Sequence, residues 1–247
     1  YAASRTGSPT TPTSKPEASS PAPPYDHHHR DQPPSPHETA QSPIDRLRAA
    51  AEEATKATSY GGLLGVEGAA ARTYFGSFAA MLRDELASVG APFAFSNRNR
   101  RPPLDPVNCL LSYLYGLLVK ELTVTLFTVG FDPYLGFFHR PRFGRPALAL
   151  DLAEEFRPLI AESVTINLIN NGEIRKTDFV VRAGGVSLTA TGRRKVLAAY
   201  ERRLDQRIRH PVFGYKVSYR RVLEVQSRLL AAHLTGEVPE YTGFMTR

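Results

Sequence analysis

Cysteine is almost absent from this sequence of 247 residues, since Cys109 is the only one. A single cysteine permits neither a disulfide framework nor a zinc site built from thiolates. Cys109 lies in the apolar stretch VNCLLSYLYGLL. We therefore expect a buried thiol in a protein of the reducing cytoplasm.

Uninterrupted apolar runs and a secretion signal are absent as well. The most apolar segment, residues 106–130, is interrupted by Asn108, Lys120 and Glu121, so we predict a core helix and no membrane span. The chain opens with Tyr1 and lacks a charged region followed by an apolar stretch. We expect no secretion signal, no membrane partner, and a chain cut from a longer protein.

Residues 1–44 are poor in the apolar side chains that a folded core needs. They contain ten of the twenty prolines, and Ser, Thr and His fill most of the remainder. Such a composition cannot bury enough surface to offset its ordering entropy. We predict a disordered Pro/Ser/His-rich linker at residues 1–44, in which the triplet His27–His29 has little weight as a metal site, and one folded domain at residues 45–247.

The predicted folded domain is the basic part of the chain. Of the 31 Lys and Arg and the 24 Asp and Glu, three and four lie in residues 1–44, which leaves 28 and 20 in the domain. A surplus of eight positive charges favours a polyanionic partner, although a basic surface can also serve solubility alone.

Apolar residues recur mainly with the period of a helix, which predicts a mainly α, multi-helix domain. Ser42 and Asp105 are predicted N-caps, each followed by proline, and Gly130 is a predicted helix end. The stretch DFVVRAGGVSLT alternates around two glycines and predicts a small β-hairpin. The predicted helices are residues 43–57, 66–89, 106–129, 147–170, 191–208 and 216–235, with SYGGLLG interrupting the first two.

Three carboxylates, Asp151, Glu154 and Glu155, stand in the otherwise apolar helix ALALDLAEEF. Asp151 and Glu154 are three residues apart and share one face, whereas Arg157 is expected on a different side. Like charges this close repel one another unless a cation neutralises them. Two interpretations remain open, namely solvated or salt-bridged acids and a divalent metal site.

His139 is the candidate nitrogen ligand for such a site. It lies in the loop GFFHRPRFGRP, directly before the acidic helix, whereas packing or capping is enough to explain His210 and His233. Neighbouring arginines suit a site that receives phosphates. These are Arg140, Arg142 and Arg145.

Glu67 is a third candidate ligand. It is predicted in the first turn of its helix between Gly65 and Gly68, where another segment could approach closely. The alternative role of an acid in a first turn is to complement the helix dipole. Oxygen ligands with one imidazole suit Mg²⁺ or Mn²⁺.

Four segments, in this order along the chain, carry a resemblance to a known family. They are EGAAARTYF at 67–75, NRNRRPPLDPVNCLLSYLYGLL at 97–118, GFDPYLGFFHRPRFGRPALALDLAEEFRP at 130–158 and YTGFMTR at 241–247. Together they resemble the CRISPR-associated endonuclease 1 family, the prokaryotic integrase of spacer acquisition. The resemblance covers roughly residues 45–247.

The resemblance implies a catalytic set of Glu67, His139, Asp151 and Glu154 around Mg²⁺ or Mn²⁺. Glu67, His139 and Glu154 match the family's metal ligands, and Asp151 matches a further acid near the metal. Many relatives have Asp where this chain has Glu154, so either Asp151 or Glu154 is open as the direct ligand. The implied reaction is attack by the 3′-hydroxyl of a prespacer DNA on a phosphodiester of the CRISPR repeat, which needs no nucleophilic Ser or Cys.

The implied DNA substrates require contacts to the phosphate backbone. Tyr113 and Tyr115 are two residues apart on a helix and do not share a face. For one of them, core packing is therefore expected at least as much as contact with DNA. The candidate DNA-binding residues are Arg72, Arg98, Arg100, Arg101, Arg140, Arg142, Arg145, Tyr113 and Tyr115.

The resemblance also implies protein partners. Family members normally pair two subunits through an N-terminal β-rich domain, and they bind the small dimeric partner protein of the adaptation complex. Residues 1–44 stand in place of that domain, which either precedes Tyr1, as in fusions to other adaptation proteins, or has been lost. The homodimer therefore stays open, and the alternatives are a catalytically limited DNA-binding scaffold and a transposon-borne integrase of the same fold.

Overall fold

The computed structural model describes residues 42–245. The predicted linker lies outside these residues apart from its last three positions, and the triplet His27–His29 lies outside them entirely. In the described part, Ser42 caps the first helix through the N–H of Asp45, and Pro43 is its first residue, as predicted.

Helices account for most of the described residues, which confirms the predicted mainly α fold. Two 3-10 turns, Phe78–Met81 and Lys176–Asp178, and one wide π-helical turn, Arg157–Glu162, lie between them. The helices are α1 Pro43–Lys56, α2 Tyr60–Gly76, the short α3 Asp84–Ala87, α4 Pro106–Val129, α5 Ala147–Phe156, α6 Ser163–Asn170, α7 Ala190–Asp205 and α8 Tyr219–Leu234.

Helix α4 lies at the centre of the core, against α5, α8 and the π-helical turn. One row of its side chains recurs every four residues and is fully buried: Leu110, Leu114, Leu118, Leu122 and Leu126. By length and composition, α4 is also the one helix among residues 42–245 that could cross a membrane. Its buried row agrees with the predicted core helix.

The ends of α4 and the state of its cysteine are as predicted. Asp105 accepts a hydrogen bond from the N–H of Asn108 at 2.8 Å, and Gly130 ends the helix with φ of +106°. Cys109 is 6% exposed, and burial raises the pKa of its thiol to about 11. The predicted buried thiol is confirmed.

The bounds predicted for the second helix, 66–89, are wrong at both ends. Ser59 caps α2 by accepting from the N–H of Gly62 at 3.1 Å, and the cap and packing on α1 outweigh the weak helix propensity of the glycines. Glu67 is consequently the eighth residue of α2, too far from the N-terminus for the dipole role. A Cβ on Gly65 would meet nothing within 4 Å, so the close approach of another segment that was predicted there is not made by residues 42–245.

The predicted hairpin is present as β1 Phe179–Arg182 and β2 Gly185–Leu188. The strands are antiparallel, and residues 183 and 184 form the turn with φ of +46° and +75°. Positive φ at both positions is what a two-residue hairpin turn requires.

A second hairpin, β3 Arg207–Arg209 with β4 Lys216–Ser218, was not predicted. It occupies the end of the predicted helix 191–208 and the start of the predicted helix 216–235, so those bounds are wrong. Pro211 and Gly214, which has φ of +72°, lie between the strands and favour a turn over a helix.

Candidate metal centre

The carboxylate of Asp151 organises the loop that carries His139. Its Oδ2 accepts the N–H groups of Phe137 at 2.7 Å and Phe138 at 3.0 Å. Its Oδ1 accepts the N–H of His139 at 2.8 Å and lies 2.6 Å from the Nδ1 of the same residue. Asp151 therefore fixes both the loop and the imidazole, which leaves the Nε2 of His139 for another ligand.

Gly136 makes this loop geometry possible. A Cβ at this position would lie 2.7 Å from the carbonyl oxygen of His139 and 2.8 Å from both Ala147 Cβ and Asp151 Oδ2. No side chain fits between these atoms, so glycine is required for packing and not for its φ. Sequence reasoning assigned Gly136 no such role, since the contact depends on the folded loop.

Tyr60 joins α2 to the His139 loop. Its hydroxyl donates to the carbonyl oxygen of Phe138 at 2.7 Å, and the two ring centroids are 5.3 Å apart. The guanidinium of Arg140 lies over the Tyr60 ring, 5.4 Å from its centroid. The helix that carries Glu67 is thus tied to the loop that carries His139. Tyr60 was not predicted to support the site, because the sequence placed this residue in an interruption between two helices.

Glu154 and Glu67 line one cavity of about 250 Å³, together with Arg100, Tyr115, Arg157 and Glu162. Burial raises the pKa of Glu154, and the negative charge of Glu67 adds to that effect. The positive charges of Arg157, His139 and Arg100 act in the opposite direction. The predicted residues from α2, the loop and α5 therefore share one electrostatic environment.

Arg157 is the cationic partner of Glu154, so the expectation that it points elsewhere is wrong. Its Nη1 lies 2.6 Å from Oε1 and 2.8 Å from Oε2 of Glu154. Residues three apart on a helix are separated by only about 60° around the axis, which a long arginine side chain spans. Only the Oε2 contact has hydrogen-bond geometry, and among residues 42–245 no group donates a hydrogen bond to the buried Oε1.

The donor set suits a hard divalent cation in its chemistry. It offers the carboxylates of Glu67 and Glu154, and the imidazole of His139, which Asp151 orients. One oxygen of the Glu154 carboxylate, Oε1, accepts no hydrogen bond from residues 42–245. Across residues 42–245, however, no three His, Cys, Asp or Glu side chains converge into a complete cage. Because the loop N–H groups occupy both oxygens of Asp151, the geometry favours Glu154 over Asp151 as the direct ligand.

Glu162 is a buried acid in the same cavity that sequence reasoning missed. It is 4% exposed, and it accepts hydrogen bonds from the hydroxyls of Tyr115, at 2.6 Å, and of Tyr74. Burial and the charge of Glu162 raise the pKa of both phenols. The guanidinium groups of Arg98 and Arg157 lie over the Tyr115 ring, with their Cζ atoms 5.3 and 4.9 Å from its centroid.

Two of the candidate DNA-binding residues have structural contacts instead of free side chains. The hydroxyl of Tyr115 donates to Glu162, which agrees with the alternative that one of the two tyrosines packs in the core. Arg98 donates to Asn108 Oδ1 at 2.7 Å and to Ser112 Oγ at 3.1 Å, so it braces its loop against α4. Burial lowers the pKa of Arg98.

The other candidate DNA-binding residues lie nearer to solvent. Tyr113 is half-buried and packs against the core, and Arg145 is half-buried. The exposed ones are Arg72, Arg100, Arg101, Arg140 and Arg142.

Glu155, the third acid of α5, holds the C-terminal segment. Its Oε1 accepts the hydroxyl of Tyr241 at 2.6 Å, and its Oε2 accepts the N–H of Phe244 at 2.8 Å. The Phe244 ring stacks on Phe156 with centroids 5.7 Å apart. The three acids of α5 therefore have three separate roles: Asp151 orients a loop, Glu154 faces the cavity, and Glu155 anchors the chain end.

Comparison with known proteins gives consistent matches along most of the chain. A family model described as CRISPR associated protein Cas1 matches residues 25–202. A CRISPR-associated exonuclease Cas4/endonuclease Cas1 fusion from Geobacter sulfurreducens is 56% identical over 194 residues, or 78% of this chain. This chain spans 34% of the length of that fusion.

Solved structures match at the level of the fold. A casposase bound to integration product has a TM-score of 0.69 at 27% identity, over 81% of this chain and 57% of that one. A Cas6-RT-Cas1–Cas2 complex has a TM-score of 0.70 at 28% identity, over 83% of this chain and 22% of the matched chain. Because the family model covers well over half of the sequence, the chain belongs to the CRISPR-associated protein Cas1 family.

Proposed function

We propose that this chain is the helical catalytic domain of a divalent-metal-dependent DNA endonuclease and integrase that inserts new spacers into a CRISPR array. The observation that carries the proposal is the arrangement around Asp151. Asp151 binds the backbone and the imidazole of His139, and it lies on the same helix as Glu154. A carboxylate and histidine pair beside further acids is typical of a metal site. The endonuclease name of a 56% identical relative supports the same function.

In this proposal Glu67, His139 and Glu154 hold Mg²⁺ or Mn²⁺. Such an ion, when bound, polarises the scissile phosphate and stabilises charge on the attacking or leaving oxygen. Asp151 keeps the Nδ1 side of the imidazole engaged, so that Nε2 is the ligand atom. Arg157 favours the ionised form of Glu154, which is the form that binds a cation.

The substrates in this proposal are a prespacer DNA and a CRISPR repeat. The 3′-hydroxyl of the prespacer bonds to a phosphorus atom of the repeat, and the bond from that phosphorus to its 3′-oxygen breaks, which leaves a 3′-hydroxyl on the repeat. The surplus of positive charge in residues 45–247 supports a DNA partner. The matched structures include a casposase bound to integration product and a complex that contains Cas1 and Cas2. We accordingly propose Cas2 as the small protein partner, in the cytoplasm of a prokaryote. A homodimer would form through the β-rich domain that relatives carry before the catalytic one.

A transposon-borne integrase is the second candidate, because the casposase shares the fold over 81% of this chain. The same ligands would serve either enzyme, so the two candidates differ in the target DNA and not in the metal site. A catalytically limited scaffold would bind DNA without joining strands.

The test is a strand-transfer assay with Mn²⁺, with and without Cas2, in which labelled prespacer or labelled transposon-end DNA supplies the 3′-hydroxyl and CRISPR-repeat DNA or an unrelated duplex is the target. We expect transfer into the repeat that His139→Ala abolishes. His233→Ala is the matched control, because the His233 ring bonds to the carbonyl oxygen of Val238 and lies outside the cavity.

Each alternative has its own result in this assay. Transfer of the transposon end, without transfer of prespacer into the repeat, would favour the second candidate. DNA binding with no strand transfer under any condition would favour the scaffold. Full activity in a folded His139→Ala variant would reject the metal site.

A further inference from the structure

Phe143 is the most exposed large apolar side chain among residues 42–245, at 110% of the reference exposure of its residue type. Exposing a whole phenylalanine ring to water is unfavourable, and no neighbour in the described chain shields it. A ring held this far out is a candidate contact for a partner.

The turn that presents Phe143 has a defined geometry. The N–H of Arg145 donates to the carbonyl oxygen of Arg142 at 3.0 Å, and Gly144 has φ of +68°. These features are those of a type II turn with Phe143 at its first central position. At the base of the loop, Asp151 holds residues 137–139, so the tip projects from a fixed root.

The surroundings of Phe143 are cationic. No Asp or Glu lies between Asp132 and Asp151 in the sequence. Within the part of the chain that the structure describes, none of the three loop arginines, Arg140, Arg142 and Arg145, forms an ion pair. An anionic partner with apolar faces fits this combination of an exposed ring and uncompensated arginines better than a neutral protein surface does.

The tip also lies near the candidate metal ligands. Phe143 follows His139 by four residues, so their Cα atoms are at most about 15 Å apart. A nucleic acid strand whose phosphate rests at the metal site would therefore have its neighbouring nucleotides within reach of the ring.

Building on the proposed function, we propose that Phe143 is a stacking platform for one unpaired DNA base beside the reacting phosphate, with Arg142 and Arg145 contacting adjacent phosphates. Stacking tolerates any base, because every base has a π face. The loop would then favour DNA that is unpaired next to the reaction site over continuous duplex.

The test measures binding in EDTA, so that it does not depend on catalysis. The probes are a DNA with a short unpaired tail that carries 2-aminopurine, and a fully paired DNA of the same length. The variants are Phe143→Ala, Phe143→Trp as the conservative replacement, and Phe213→Ala as the control, because Phe213 is a 47% exposed ring on the β3–β4 turn.

We expect Phe143→Ala to remove the 2-aminopurine quench and to weaken binding of the tailed DNA by about 5-fold or more, with little effect on the paired DNA. Phe143→Trp should restore the quench, and Phe213→Ala should leave it unchanged. Since the Phe143 ring is exposed, thermal unfolding of the two Phe143 variants should be the same as that of wild type.

Three results would overturn the stacking role. They are an unchanged quench in Phe143→Ala, an equal loss of affinity for both DNAs, and a loss of Cas2 binding with DNA binding intact, which would make the loop a protein-binding surface. Wild-type protein that binds neither DNA at low salt would instead contradict the proposed function itself.

Discussion

The Nη1 atom of Arg157 lies 2.6 Å from Oε1 and 2.8 Å from Oε2 of Glu154, so an arginine holds the carboxylate assigned to the metal. A cation bound by Glu154 must share this carboxylate with the guanidinium or displace it. The ion pair and the metal therefore compete for the same charge.

Removing this competition should strengthen metal binding. At a pH well above the pKa of Glu154, where the carboxylate is ionised with or without Arg157, we expect Arg157→Gln to bind Mn²⁺ a few-fold more tightly than wild type, a gain of about 0.5–1 kcal/mol given the partial exposure of Glu154. Isothermal titration calorimetry measures it, and Arg202→Gln, which breaks the exposed pair with Glu173, is the control. Unchanged or weaker Mn²⁺ binding in Arg157→Gln would show that the two cations do not compete.

The raised pKa of Glu154 predicts a pH dependence of folding in EDTA. Between the ordinary value of 4.5 and the raised value, the folded state binds a proton that the unfolded state releases. The free energy of unfolding that Glu154 contributes should therefore fall as pH rises through this window. Urea unfolding of wild type and Glu154→Gln across pH 4–8 measures the difference, and parallel curves would contradict the shift.

The same shift should make metal binding depend on pH. Mn²⁺ requires the ionised carboxylate, so its affinity should fall as pH drops through the raised pKa, with proton uptake into Glu154. Proton release on binding can be measured from calorimetry in buffers of different ionisation enthalpy. Equal heats in all buffers near that pKa would exclude Glu154 as the titrating ligand.

A methyl group at position 136 should disrupt the His139 loop. Gly136→Ala places a Cβ within 2.8 Å of three atoms, including Asp151 Oδ2, and should lower the free energy of unfolding by about 1–3 kcal/mol. The proposed strand-transfer activity should be lost as well. Gly116→Ala is the matched control, because Gly116 lies within α4 with nothing within 4 Å and should gain about 0.5–1 kcal/mol. Thermal unfolding tests both, and a neutral Gly136→Ala would mean that the loop adapts.

Two neighbouring arginines should separate DNA binding from structural support. Arg100 and Arg101 are exposed, so replacing each with Ala should reduce the slope of log affinity against log salt by about 1 for each DNA phosphate that the arginine neutralises. Arg98→Ala should instead lower stability, because it removes the donor to Ser112 Oγ and one of the two donors to Asn108 Oδ1, which keeps the N–H of Asn99. Fluorescence anisotropy at several salt concentrations, with thermal unfolding alongside, distinguishes the two effects. An unchanged slope for Arg100→Ala and Arg101→Ala would remove this loop from the DNA surface.

Local signals made part of the fold predictable. The bounds of α4 follow from a capping aspartate, a proline at the first helical position and a terminal glycine, all adjacent in sequence to the residues they affect. The bounds of α2 depend on packing against α1, which overrides the poor propensity of Gly61 and Gly62 and cannot be read from a local window. The strands β3 and β4 have three residues each, too few for an alternating pattern to emerge.

The residues of the candidate site could be proposed from the sequence, but the contacts that support them could not. His139 and the acids of α5 stand out as polar groups in an apolar or glycine-rich context. The bond from Tyr60 to Phe138 spans 78 residues, and that from Tyr74 to Glu162 spans 88. Contacts between segments this far apart leave no periodic or local signal in a single sequence.

The bond between Glu155 and Phe244 joins residues 89 positions apart, next to two of the acids assigned to catalysis. On the ribosome, helix α5 emerges well before the segment that contains Phe244, so a nascent chain would carry the candidate metal ligands on a helix that this segment does not yet hold. The bond from Phe244 to Glu155 can therefore form only after the C-terminal segment has been synthesised and has folded back onto α5.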